Sequence, residues 1–505
     1  MQYCSTRSNQ LHGVSSAVAI RQGIAPDGGL YTPEDIPRLE AEELRAMLNY
    51  TYQELALNIL AKYLSDYPWA DLERMVRAAY AYPEKFSHPK IAPVVQLGEG
   101  RYLLELWHGP TSAFKDMALQ LLPYLLTAAG QLSVKAGLSA TEVVILVATS
   151  GDTGKAALEG FRDVPGTRIL VFYPEDGVSE IQKMQMVTQE GYNTDVIAVK
   201  GNFDDAQTGV KRIFGDSRIA AALAARDMVF SSANSINWGR LAPQIVYYFY
   251  GYLEMCRQGR IQLGQTVNVC VPTGNFGNIL AAYFCKEMGL PIQTLICASN
   301  SNHVLTDFIR NGVYDRNRRF FTTVSPSMDI LISSNLERLL YYLSDRDCQA
   351  VSDWLDQLIT AGRYEVNEAT RARVKAVFQA GFADESRTAA EIKRVYQQSK
   401  MVIDPHTAVG VAVYEDYRRE TGDATPALIV STASPFKFNS SVLRAIQGEG
   451  AIQGSNEFDL LEQLAALSGL EIPRGLCNLN QKTIRHRSVC DKEAMDREIE
   501  SILKL

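Results

Sequence analysis

Five short runs of this chain, at 142–148, 168–173, 266–271, 294–299 and 427–432, are apolar at most positions in succession rather than at every second one. A strand with one face in water alternates; a strand apolar on both sides has to be covered on both faces, as in parallel sheets flanked by helices. Two of the runs lead through small and polar residues straight into a helical pattern, Lys155-Ala-Ala-Leu-Glu-Gly-Phe161 after the first and 279–288 after the third. The second of these helices is closed by Gly289 with Pro291 beyond it. The pattern therefore predicts an α/β fold of two open, mostly parallel-sheet lobes. Helical periodicity over 40–48 and 52–63 adds an N-terminal helical unit, and prolines between 82 and 93 mark its end. At ~150 residues per domain, 505 residues allow about two to four domains. The expected division is 1–93, largely helical; 94–235, the first lobe; and 236–505, the second lobe with a helical insert over 338–400 and a helical tail over 456–505.

In open α/β sheets ligands sit where strands end and helices begin. Three such junctions carry chemistry here. Val271-Pro-Thr-Gly-Asn-Phe-Gly-Asn278 combines small residues, which let a ligand approach the backbone, with free amides at a helix N-terminus. That is an anion site suited to phosphate, although a glycine-rich connector without a ligand has the same look. Its spacing is not that of a dinucleotide fingerprint. Ala148-Thr-Ser-Gly-Asp-Thr-Gly-Lys155 is no P-loop, since two residues separate its glycines and no Ser or Thr follows the lysine. Its hydroxyls and amides suit a second anion, such as a carboxylate, and Asp152 serves equally as a helix cap. In His108-Gly-Pro-Thr-Ser-Ala-Phe-Lys-Asp116, Ser112 as N-cap would place Lys115 in a first helical turn. The helix dipole disfavours a cation there, and a lysine that gives up its proton is a nucleophilic amine. An exposed lysine beside Asp116 is the ordinary alternative.

Composition narrows the classes. A net charge of −7 offers no basic face to nucleic acid or anionic lipid. Six histidines and eight scattered cysteines, with no C-x-x-C pair and no H-E-x-x-H, argue against metal centres and disulfide frameworks. The first ten residues lack the apolar core of a secretory signal, and no run is long enough to span a bilayer. A cytoplasmic protein is expected. Trp107, Phe114, Phe276 and Phe436 beside the motifs are expected to wall a cleft or core, and His108, His303 and His406 to pack or cap.

Taken together, these motifs resemble the fold type II pyridoxal-phosphate enzymes. The likeness to threonine synthases, in the longer form of fungi and enterobacteria, is closer. It rests on Tyr3-Cys-Ser-Thr-Arg7, Ala25-Pro-Asp-Gly-Gly-Leu-Tyr-Thr-Pro33, Thr111-Ser-Ala-Phe-Lys-Asp116, Ser150-Gly-Asp-Thr-Gly-Lys155, Ser231-Ser-Ala-Asn-Ser-Ile-Asn-Trp-Gly-Arg240, Pro272-Thr-Gly-Asn-Phe-Gly-Asn278 and Ser431-Thr-Ala-Ser-Pro-Phe-Lys437, in the family's order. The resemblance implies that Lys115 carries pyridoxal 5'-phosphate as a Schiff base. It implies that Gly274, Asn275, Phe276, Gly277 and Asn278 cradle the cofactor phosphate and that Thr432 meets the pyridine nitrogen. It implies a carbon–oxygen lyase that turns O-phospho-L-homoserine and water into L-threonine and phosphate. Ser150, Gly151, Asp152 and Thr153 are the expected seat of the substrate carboxylate, and the Asn237–Arg240 run of its phosphate, with Arg240 as the fork. Relatives with other reactions usually carry asparagine where Asp152 stands, so an acid near the cofactor's phenolic oxygen is the departure to explain. Three rivals remain open: a phospho-lyase or dehydratase releasing a 2-keto acid, an inactive ligand-binding relative, and a kinase suggested by Gly154-Lys155. The sequence leaves monomer or homodimer undecided.

Overall fold

The structure, a computed structural model, describes residues 1–135, 141–149, 151–175 and 178–505. The five apolar runs form strands, and all five sit inside two large sheets. One sheet has six strands in the spatial order Phe378–Phe382, Ile292–Ser299, Val267–Pro272, Ala427–Ser431, Arg101–Glu105 and Val94–Gly98. Every pair in it is parallel except the last, a tight hairpin through Glu99 and Gly100. The other has five parallel strands in the order Ser488–Asp491, Thr194–Lys200, Thr167–Pro174, Glu142–Ala148 and Met228–Ser231. Val267–Pro272 and Ala427–Ser431 are buried at every residue, as strands covered on both faces must be.

The sheets draw strands across the boundary expected at 235. The hairpin at 94–105 joins the six-stranded sheet, far from the neighbours it has in sequence, while Ser488–Asp491, near the C-terminus, closes the edge of the five-stranded one. Both edge strands beyond residue 338 lie in segments whose pattern predicts helix only. Phe378–Phe382 and Ser488–Asp491 are short and half or mostly exposed, so they lack the apolar run that marks a central strand. The 338–400 segment also holds the short strand Arg363–Glu365, paired antiparallel with Val313–Asp315, and is helical in pieces at Leu336–Leu343, Cys348–Thr360, Glu368–Val377 and Glu385–Ser399.

The N-terminal unit has the helix Tyr52–Tyr63 where the periodicity places it, capped by Thr51 and Glu54 in a reciprocal box. It is not a free-standing layer. Tyr3 and Tyr63 each pack on Trp238 with ring centroids 5.4 Å apart, and the same apolar cluster continues into both lobes. Trp238 opens the helix Trp238–Arg257, which is buried from Trp238 to Met255 and forms the spine of the molecule. Among the described residues no helix is long and apolar enough to cross a membrane.

Candidate active site

The segment before Lys115 is held in place by backbone pairing to the end of a strand from the six-stranded sheet. Ala113 bridges Ala433, the Phe114 amide donates to the Thr432 carbonyl at 2.8 Å, and the Ser434 amide donates to the Ser112 carbonyl at 3.0 Å. The Asp116 carboxylate locks the turn from below, accepting from the Thr111 amide at 2.8 Å and the Thr111 hydroxyl at 2.6 Å. Ser112 does not cap the helix: it has a φ of 60°, and its buried hydroxyl has no partner among the described residues. The helix Asp116–Leu119 instead starts one residue after Lys115, which holds the N-cap position itself. Backbone pairing thus shifts the helix start, and Lys115 still stands where the dipole disfavours a cation.

Lys115 Nζ donates to Ser327 Oγ at 2.9 Å and lies 3.6 Å from Asp152 Oδ2. Burial lowers its pKa to about 8; Asp152 pulls it up, while Arg240 and Lys437 push it further down. Asp152 is the first residue of the helix Asp152–Phe161, but its carboxylate does not cap that helix. It meets Lys437 Nζ at 2.6 Å, Gln182 Nε2 at 2.9 Å and Ser327 Oγ at 3.3 Å. Burial alone would raise this carboxyl; Lys437 first and Lys115 second outweigh it and hold it well below the usual carboxylate range.

Facing this cluster is the turn after Val267–Pro272. Phe276 adopts φ 62° and precedes the helix Gly277–Glu287. Among the described residues nothing accepts from the amides of Gly274, Asn275, Phe276, Gly277 or Asn278. Asn278 accepts through Oδ1 from Tyr247 at 2.6 Å and Tyr248 at 2.5 Å, leaving its buried Nδ2 without a partner among the described residues. A row of unspent donors in a buried cavity needs an acceptor, and a phosphate supplies one. Lys115, Asp152, Thr153, Arg240, residues 272–278 and Thr432 line one cavity of about 120 Å³ between the lobes. The Thr432 hydroxyl bonds to no described residue, so a ring nitrogen is a partner it can take. Arg240 is buried; among the described residues its guanidinium donates one hydrogen bond, to the Ala233 carbonyl, and has no acid beside it, and burial lowers its pKa to about 10. The donor set fits pyridoxal phosphate: an amine for the aldehyde, amides for the phosphate and a hydroxyl for the ring nitrogen.

Not every expected residue joins this site. Asn237 is a correction: it caps Trp238–Arg257, with Oδ1 accepting from the Gly239 amide at 2.9 Å and Nδ2 donating to the Ile20 carbonyl at 2.9 Å. It does not line the cavity, because its polar atoms are spent on tying the spine helix to the N-terminal unit. The Gly151 amide is likewise spent, on Thr149 Oγ1 at 3.0 Å, whereas the Thr153 amide stays free among the described residues. Ser150 lies outside the described residues. Lys155 turns away to Glu159, 3.1 Å off, in a separate cleft that Trp107 and Phe436 also border. Phe114 and Phe276 do wall the cavity.

Three residues at the site are visible only in the fold. Ser327 comes from a loop that the periodicity leaves unassigned. Lys437 ends a motif whose role the motif does not state. His406 accepts from the Ser327 amide through Nε2 at 3.2 Å and is joined to Asp404 through Nδ1 at 2.8 Å. Its position after an Asp-Pro helix start signals a cap, and Asp404 is indeed that cap; the ring's second bond has no sequence signal.

Fold and site together define a pyridoxal-phosphate-dependent enzyme of fold type II. The family model described as pyridoxal-phosphate dependent enzyme matches residues 91–433, and those described as threonine synthase N terminus and threonine synthase, C-terminal match 2–80 and 407–484. Threonine synthase of Pseudomonas aeruginosa is 38% identical over 464 residues, 92% of this chain and 94% of its own length. A crystal structure of pyridoxal-phosphate-bound threonine synthase from Brucella melitensis superposes with a TM-score of 0.86 at 36% identity, covering 100% of this chain and 99% of that one. The yeast threonine synthase structure does so at 0.87 and 33%, with the same coverage. The chain belongs to the threonine synthase family. Human threonine synthase-like 1 is 42% identical over 439 residues, and the chain spans 58% of that relative's length.

Proposed function

We propose that this protein converts O-phospho-L-homoserine and water into L-threonine and phosphate. The observation that carries the reading is one cavity holding a buried amine, a row of amides and a buried guanidinium, the amides without an acceptor and the guanidinium without an acidic partner among the described residues. Two phosphates have to be accommodated, one on the cofactor and one on the substrate. The amides of 274–278 take the first, and Arg240 takes the second through its planar fork. The Thr153 amide, at a helix N-terminus, receives the substrate carboxylate. Bound pyridoxal phosphate supplies the electron sink that stabilises negative charge at the substrate α-carbon.

Lys115 Nζ is the group that moves protons. As a free amine it takes the α-proton and hands it to the substrate phosphate, then takes a β-proton; the Cγ–O bond breaks and phosphate leaves with the bonding pair onto Arg240. Lys115 gives the β-proton to Cγ, which becomes the methyl group; water then adds its hydroxyl at the β-carbon, and its remaining proton returns through Lys115 to the α-carbon. Ser327 Oγ and Asp152 keep Nζ aimed into the cavity between these transfers. A pKa near 8 suits a group that must both accept and return a proton near neutrality.

Incubation with O-phosphohomoserine and separation of products tests the reading. Equimolar threonine and phosphate are expected; a 2-keto acid without threonine means a phospho-lyase. Borohydride reduction of the loaded protein followed by peptide mapping is expected to label Lys115, and Lys115→Ala to lose both label and turnover. A label on another lysine would overturn the site.

A further inference from the structure

An acid beside the reactive amine is the feature that resemblance leaves unexplained, because a carboxylate next to a lysine normally keeps the lysine protonated. The geometry around Asp152 removes the conflict. The carboxylate lies between two buried lysines and is closer to the other one: Lys437 Nζ is 2.6 Å from Oδ1, while Lys115 Nζ is 3.6 Å from Oδ2. Lys437 is 1% exposed and also donates to the Thr111 carbonyl at 3.1 Å, in the loop that carries Lys115. Lys115 gives its own short bond to the neutral Ser327 hydroxyl instead.

The remaining groups around Lys115 do not restore an acid. Arg240 is a second cation on the cavity wall. His406 accepts from the Ser327 amide through Nε2 and is joined to Asp404 through Nδ1, the pattern of a neutral ring. Asp329 lines the cavity but is engaged with Thr323, Asn300 and Asn302. Asp116 points back to Thr111. The Phe114 ring, 5.0 Å from Nζ, favours the cation only weakly.

We infer that Lys437 is a positioning residue that occupies the Asp152 carboxylate, so that Lys115, one cation too many for one anion, gives up its proton more readily than it would if it alone faced that carboxylate. Burial and the Lys437 charge both act on Lys115 in this direction. The same pairing makes Asp152 one half of a neutral pair, which reduces its repulsion of an oxyanion beside it. The inference concerns the chain without substrate, so it stands or falls apart from the reaction proposed above.

The test is trace labelling of the full-length, cofactor-free protein with acetic anhydride from pH 6 to 10, with Lys115 acetylation read by peptide mapping. Only the unprotonated amine reacts. Restricted access scales the rate without moving its midpoint. The wild-type midpoint is expected near pH 8. In Lys437→Met, Asp152 has Lys115 as its only cation, and the midpoint rises by about one unit or more, roughly a tenfold loss of labelling at pH 7. Lys437→Arg keeps the wild-type midpoint, and Asp152→Asn combined with Lys437→Met brings it back to the wild-type value or below. A folded Lys437→Met protein with an unmoved midpoint overturns the inference. Should that variant not fold, Lys437→Gln decides: a rise in the midpoint supports the inference, and no change or a fall overturns it.

Discussion

Gly274→Ala is the sharpest probe of how the anion loop is held. A Cβ at Gly274 would stand 2.4 Å from the Ser327 carbonyl oxygen and 3.5 Å from Met328 Cα. Ordinary carbon–oxygen contact needs about 3.3 Å, so the two loops must part by about 1 Å. Neither side yields easily. The Gly274 carbonyl accepts from Ser333 Oγ at 2.9 Å and the Thr273 amide donates to the Ala298 carbonyl at 2.9 Å, while Ser327 is tied to His406 and Asp152. Overpacking of this kind costs about 1–3 kcal/mol in stability. The same displacement drags the 274–276 amides off the phosphate, and each hydrogen bond to a charged group is worth about 1.5–3 kcal/mol. Losing one weakens pyridoxal phosphate binding by about ten- to a hundredfold. Cofactor titration by visible absorbance and urea unfolding of the cofactor-free chain measure the two effects. Gly450→Ala, whose Cβ would meet nothing within 4 Å, is the control. Cofactor affinity within twofold of wild type, with an unchanged unfolding midpoint, would refute the reasoning.

Other variants separate binding from scaffolding. Arg240→Gln should raise KM for the phosphorylated substrate by about tenfold or more, a lost charge-assisted pair, without lowering stability in urea, since the guanidinium has no acidic partner among the described residues. Asn237→Ala should cost about 0.5–2 kcal/mol in urea unfolding, as a lost cap does, and leave KM alone. Asp116 makes stability depend on pH. Burial raises its pKa to about 6, above the unfolded value of about 3.9, so the folded chain holds a proton that the unfolded chain has released. Its contribution is fully present below about pH 4 and is lost as pH rises through about 6, a difference of about 3 kcal/mol. Urea unfolding between pH 4 and 7 should show this slope in wild type and lose that part of it in Asp116→Asn.

What could be read in advance was what repeats along the chain. The runs at 142–148, 266–271 and 427–432 announce themselves as buried strands because both of their faces are covered, and covering both faces forces successive apolar residues. The edge strands Phe378–Phe382 and Ser488–Asp491 face water on one side and pair along a single edge, so their composition does not set them apart. The edge position of 94–105 has the same origin. Which sheet a strand joins is decided by distant partners, and for that reason the boundary at 235 does not follow the sheets.

The same distinction runs through the site. Gly274 to Asn278 form an anion loop from their own sequence, since each supplies a backbone amide, and a turn followed by a helix already orients them. The Lys115 segment is half-legible: its odd place at a helix start shows in the sequence, but the pairing of Ala113 with Ala433 that moves the start by three residues does not. Asp152 is the least legible, because its meaning lies wholly in what reaches it. Taken with its neighbours in sequence it is a helix-start acid, and as such would complement the dipole of its own helix. In the fold it follows a strand of the five-stranded sheet and is met there by Lys437, which follows a strand of the six-stranded one, and by Ser327. A buried carboxylate in that position is tolerable only while its cation is there, since an unpaired charge at this depth costs several kcal/mol. The charge balance that frees Lys115 is therefore also a bond between the lobes, and substitution of Lys437 should disturb the seat of Asp152 as well as the proton on Lys115.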